Sequence, residues 1–142
     1  MTSLIFTTLT RKLLPLLLVL SLIVLYRGHN LPGGGFVGGL MAATGFILVA
    51  LAEGRAKAAR ILRFHPETFL AVGLAFAAGS ALIAVLGFGE GFMTGQWLHE
   101  FHLPLLGKVH LGTPVLFDIG VYFVVIGFSL LTTFSLQDAT PE

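Results

Sequence analysis

Four apolar runs, each close to the roughly 20 residues that a bilayer core requires, occupy most of this 142-residue sequence. They lie at about 13–27, 35–52, 69–88 and 114–134. In lipid the backbone must satisfy its own hydrogen bonds, which leaves helices as the spanning form for runs of this length. The expected fold class is therefore an all-α integral membrane protein with four transmembrane helices in one domain covering 1–142. Composition agrees: 56% of residues are hydrophobic and 11% charged, against roughly 25% charged in a soluble domain. So few charges could not cover a soluble surface, so lipid is the solvent for much of the chain. A net charge of +1 points to no strongly basic or acidic partner, and nothing suggests nucleic acid.

The first run has a second reading as a signal peptide, with Arg11 and Lys12 as the basic region and Leu13–Leu25 as the apolar one. Tyr26-Arg27-Gly28-His29 offers no A-x-A-like cleavage site, which favours an uncleaved helix. Thr2–Thr10 extends that helix or lies along the interface, and the sequence leaves both open. Basic residues set the expected orientation. Arg11 and Lys12 precede the first run, and Arg55, Lys57, Arg60 and Arg63 fill the connection between the second and third. Arg27 and Lys108 fall on the other side. With an even number of spans, both termini and the basic connection are expected in the cytoplasm.

Between the first two runs lies Arg27–Leu40, RGHNLPGGGFVGGL. Glycine this dense costs backbone entropy and gives up side-chain packing. A membrane protein tolerates it where helices turn tightly and approach closely. The second run carries Gly35, Gly39 and Ala43 at intervals of four, and the third carries Gly73, Ala77, Ser80, Ala81 and Ala84 on one helical face. Small residues promote association by letting backbones touch. Such rows serve either packing within a four-helix bundle or docking to other membrane subunits, and two of them in a short chain favour a multisubunit role.

Gly89–Gly112 is too polar and too broken by glycine and proline to span. Phe92, Trp97, Leu98 and Phe101 among its polar residues suit a short amphipathic piece at the outer interface, ended by Pro104 and Gly107.

Asp118 is the carboxylate that lies well inside a span. Five residues beyond Thr113, it sits roughly 7–8 Å along the helix axis. An unpaired charge near the bilayer centre costs on the order of 3 kcal/mol or more, so Asp118 is expected to face protein or water, be neutralised, or be paired. Tyr122, one turn on, shares its face and could donate a hydrogen bond to it. An ion contact and a structural pairing both fit. His29 at the end of the first run could relay protons, or simply bond loop backbone; His110, at the entrance to the fourth run, has the same two readings.

Other chemistry is poorly matched. His99-Glu100-Phe101-His102 spaces its histidines three apart, not the four of H-E-x-x-H, and no third ligand is evident, so no metal site is expected. GGGFVGG lacks the G-K-[ST] ending of a nucleotide loop and follows no strand. Neither paired carboxylates nor a nucleophile elbow is present, so a self-sufficient enzyme is not expected, and no cofactor is implied.

Taken together, RGHNLPGGGF near the start and LGTPVLFDIGVY at Leu111–Tyr122 resemble the MnhB subunit of the Mrp or Mnh type of multisubunit cation/proton antiporter. The likeness also includes the LLPLLLVLSLIVLY run, the basic connection and the FMTGQWL segment, and so runs nearly end to end. The resemblance implies a bacterial cytoplasmic membrane protein among several different hydrophobic subunits. Their assembly exports Na+, or in some members Li+ or K+, against entering H+, and supports pH homeostasis. The residues it marks are His29, Pro32, Gly33, Gly34, Gly35, Phe36 and Asp118. The expected function is a small subunit that contributes to assembly and to the ion path. Two competitors stand beside it: an Mrp-like subunit of an ion-translocating redox complex such as a membrane-bound hydrogenase, and a non-transporting membrane scaffold.

Overall fold

The computed structural model describes residues 4–28, 34–88, 101–103, 107–109 and 113–139. In chain order the elements are α1 (Leu4–Arg27), α2 (Gly34–Glu53), α3 (Arg55–Leu62), α4 (Pro66–Phe88), β1 (Phe101–Leu103), β2 (Gly107–Val109) and α5 (Thr113–Ala139). Four of these helices, α1, α2, α4 and α5, are long and apolar enough to cross a membrane.

Helix ends differ from the apolar runs for local reasons. α1 begins at Leu4, so most of the segment before Arg11 is helical. Pro15 lies inside it, where a lost N–H and ring crowding are tolerated because the surrounding backbone can readjust. α4 starts at Pro66, a residue whose fixed φ suits a first helical position, and its polar first turn is invisible to a hydropathy reading. α5 runs five residues past the apolar limit at Phe134, to Ala139.

The basic connection is not a loop. Gly54, at φ 89°, breaks α2, and the Ala-, Arg- and Lys-rich stretch after it folds into α3. Ala58 and Leu62, one turn apart, are the buried residues of α3. Arg63 closes it in the left-handed region at φ 67°, donating its N–H to the Ala59 carbonyl at 3.1 Å. Within the segment expected at the outer interface, Phe101–Leu103 and Gly107–Val109 pair as two short antiparallel strands, Phe101 opposite Val109 and Leu103 opposite Gly107. A residue before proline is biased to extended backbone, which favours a strand at Leu103 ahead of Pro104. Trp97 and the rest of that segment lie outside the described residues.

The four long helices form a row, α1–α2–α5–α4, rather than a closed bundle. α1 and α2 run antiparallel: Gly28 abuts Gly34 at one end and Arg11 meets Glu53 at the other. α2 and α5 run parallel, with Gly35 beside Asp118 and Gly39 beside Tyr122. α4 returns antiparallel to α5, Gly73 against Gly120 and Pro66 against Gly127. The apolar window of α2 is 56% buried and that of α5 33%, whereas α1 and α4 at the edges reach only 11% and 17%. Two helices therefore present most of their surface to lipid or to other proteins.

The seams of the row are made in two ways. Toward the basic end, side chains fill the space: Phe46, Val49, Leu62, Ile126, Leu130 and Phe134 form one cluster. Along the α4–α5 seam backbones touch. A Cβ placed on Gly73 would lie 2.6 Å from the Gly120 carbonyl oxygen, and one on Gly120 would lie 2.8 Å from that of Gly73. A Cβ on Gly127 would come 2.7 Å from the Pro66 carbonyl oxygen.

Candidate functional site

The candidate site lies at the end of the row opposite Arg11, Lys12 and α3, where α2 enters between α1 and α5. Its first element is steric. A Cβ on Gly34 would collide with the Asp118 carboxylate, and one on Gly35 with the Asp118 backbone carbonyl. Further along, a Cβ on Gly38 would sit 2.8 Å from the Ser21 carbonyl oxygen, and one on Gly39 2.8 Å from that of Tyr122. The paired glycines thus give α2 two bare faces, Gly38 toward α1 and Gly35–Gly39 toward α5.

Through this bare stretch α1 and α5 reach each other. Ser21 Oγ and Tyr122 Oη lie 3.0 Å apart in a buried hydrogen bond. Ser21 also donates its one proton to the Leu18 carbonyl at 2.8 Å, so Tyr122 donates and Ser21 accepts. Both side chains are withdrawn from the surface, Ser21 fully and Tyr122 to 7% exposure. Gly38 makes room for this bond, since its missing Cβ would also stand 3.4 Å from the Tyr122 ring.

Asp118 sits one helical turn before Tyr122, half-buried, with its carboxylate against the first residue of α2. The opening N–H groups of a helix have no intrahelical acceptor, and its dipole there is positive. That placement makes a carboxylate tolerable inside the span. The expected Tyr122–Asp118 bond is replaced: the Tyr122 hydroxyl reaches α1 instead. The sequence reading missed Ser21, although the signal was present, because it is the one hydroxyl between Leu13 and Leu25.

Of the other expected residues, Gly34, Gly35, Gly39 and Ala43 are buried within the chain. Of the two readings open for the Gly35–Gly39 row, packing within the chain and docking to other subunits, the first holds for this face, which meets α5. Phe36 differs, because it points outward at 56% exposure beside exposed Val37 and Leu40. His29, His110, Pro32 and Gly33 lie outside the described residues.

The opposite end of the row is tied by charge. Arg11 donates to Glu53 through Nε at 2.9 Å and Nη2 at 2.6 Å, and Lys57 Nζ meets the same carboxylate at 2.5 Å. Glu53 is only 7% exposed, so its charge is compensated from α1 and α3 together. Arg55 pairs with Asp138 and lies 5.7 Å over the Phe134 ring, joining α3 to the end of α5.

Comparison with known proteins gives a consistent result. Residues 5–131 match the family model described as a domain related to the MnhB subunit of the Na+/H+ antiporter. The chain is 34% identical over 131 residues to the B-type subunit of the Na(+)/H(+) antiporter of Alkalihalophilus pseudofirmus, covering 92% of this chain and 90% of that one. It is also 34% identical over 126 residues to a probable K(+)/H(+) antiporter subunit of Rhizobium meliloti, covering 89% of this chain but 12% of that longer protein. Among solved structures, the Mrp complex from Dietzia sp. matches with a TM-score of 0.69 and 34% identity, over 97% of this chain and 14% of the matched one.

Proposed function

Because the chain belongs to the family of the MnhB subunit of Na+/H+ antiporters, we propose that it is a packing subunit of an Mrp-type complex, with Asp118 contributing to the cation path. The exchanged ions are a monovalent cation, sodium first, and protons, and the setting is the bacterial cytoplasmic membrane. The chain itself carries out no covalent chemistry. The basic end of the row, with Arg11, Lys12 and α3, faces the cytoplasm under the positive-inside rule, so both termini do too. His29 and His110 flank the opposite end in sequence and would exchange protons with outside water there.

One observation carries this reading: the α2 glycines hold Asp118 against a helix N-terminus while the row around it stays open on both edges. A self-contained transporter would enclose its path. This chain instead offers a fixed carboxylate, a buried Ser21–Tyr122 tie and two largely uncovered helices, which suits a part that is completed by neighbours. Outward Phe36, with Leu40 one turn on, supplies a contact for one of them.

The test is recovery of the tagged chain from native membranes in mild detergent. Stoichiometric co-purification with large antiporter-like subunits is the expected outcome. Recovery with metal-cluster proteins would transfer the chain to a redox complex, and recovery alone would defeat the subunit reading.

A further inference from the structure

At the basic end, α4 and α5, in backbone contact at Pro66–Gly127 and Gly73–Gly120, carry on their flank an open cleft of about 190 Å³ lined by Phe64, Thr68, Phe69, Val72 and Phe123. Its walls are aromatic: Phe64 and Phe69 meet edge to face at 6.4 Å, and Phe69 and Phe123 lie 5.9 Å apart. Basic residues stand next to it in the chain. Arg63 precedes Phe64 directly, and Arg60 lies one turn earlier on α3. Arg11, Lys57 and Arg55 are held by Glu53 and Asp138. Arg60 and Arg63, both exposed, have no ion-pair partner among the described residues. With Glu67 on the first turn of α4, the stretch from Arg60 to Glu67 next to the cleft keeps a formal charge of +1.

We propose that this cleft binds an anionic phospholipid, one acyl chain against Phe64, Phe69, Val72 and Phe123 and the headgroup phosphate between Arg60 and Arg63. An acyl chain gains little by leaving other chains for an apolar wall. The cleft therefore fixes position while the headgroup decides which lipid stays. A phosphate is the fitting acceptor, since a guanidinium presents a planar fork of donors to its oxygens. Phe64, 63% exposed, offers its ring to an acyl chain at the edge of the cleft. Basic clefts between spanning helices on this side of a membrane suit such headgroups.

The experiment uses the assembled complex in vesicles of phosphatidylcholine containing phosphatidylglycerol with a photoactivatable acyl chain. Labelling is expected on the peptide containing Phe64–Val72, displaced by unlabelled phosphatidylglycerol and not by phosphatidylcholine. Arg60→Gln with Arg63→Gln should lower labelling roughly fivefold for each arginine removed. Val72→Phe, which narrows the cleft, should lower it with both arginines intact. Lys12→Gln, a cation at the same end but on α1, should leave it unchanged. Equal displacement by phosphatidylcholine, labelling unaffected by loss of the arginines, or a cleft protected by another subunit would each overturn the assignment. The displacement measurement needs only the wild-type complex and decides the question even where a variant fails to assemble.

Discussion

Deleting the Tyr122 hydroxyl and deleting the Ser21 hydroxyl remove the same 3.0 Å bond but leave different remainders. Tyr122→Phe leaves Ser21 still donating to Leu18, and a lost side-chain bond between membrane helices averages about 0.6 kcal/mol. Ser21→Ala leaves a phenol hydroxyl buried without a partner, at about 1–3 kcal/mol. The serine change is expected to be the more damaging, read as a larger drop in the midpoint of thermal or denaturant unfolding of the purified protein; equal drops would contradict the donor assignment. Asp118 was legible in the sequence because a lone acid in an apolar run stands out. The identity of its neighbours was not, since contact of Asp118 with Gly34 and Gly35, far back in the chain, depends on how helices are ordered across the row.

At the level of elements, the glycines divide into those that hold helices together and those that do not. Gly73→Ala would push a methyl to 2.6 Å from the Gly120 carbonyl, and overpacking of this kind costs about 1–3 kcal/mol. Gly79, on the same helix, has nothing within 4 Å of an added Cβ. In the isolated chain Gly79→Ala is expected to stabilise α4 by about 0.5–1 kcal/mol through lower backbone entropy. Unfolding midpoints moving in opposite directions for the two variants would bear this out, and a shared direction would count against the α4–α5 contact. Sequence separates the two by face, since Gly73 falls on the row with Ala77, Ser80, Ala81 and Ala84 and Gly79 does not, but the row does not say that its partner is α5. The spans themselves were legible from their length and hydropathy. α3 and the polar first turn of α4 were not, since helix propensity and a starting proline shaped them rather than apolar runs.

For the whole molecule, the consequence of the row is incompleteness. α1 and α4 remain largely uncovered, and Phe36 points outward from the glycine-rich entry of α2. Phe36→Ala removes no contact that the chain uses for its own core, so it is expected to leave the unfolding midpoint within about 0.5 kcal/mol of wild type while weakening co-purification of other subunits. A chain that loses stability and keeps its partners would reverse that assignment. The membrane class and the family resemblance were available from sequence because they rest on composition and on two well-separated motifs. The open row was not, because small residues permit close packing without dictating which helices pair.

The most direct test of the account is cation/proton exchange by Asp118→Asn in inverted membrane vesicles, with recovery of every subunit measured in the same preparation. Asparagine keeps the size of the side chain beside Gly34 and removes its charge. The account predicts an intact complex with clearly reduced Na+/H+ exchange; an intact complex exchanging at the wild-type rate would contradict a role for Asp118 in the cation path.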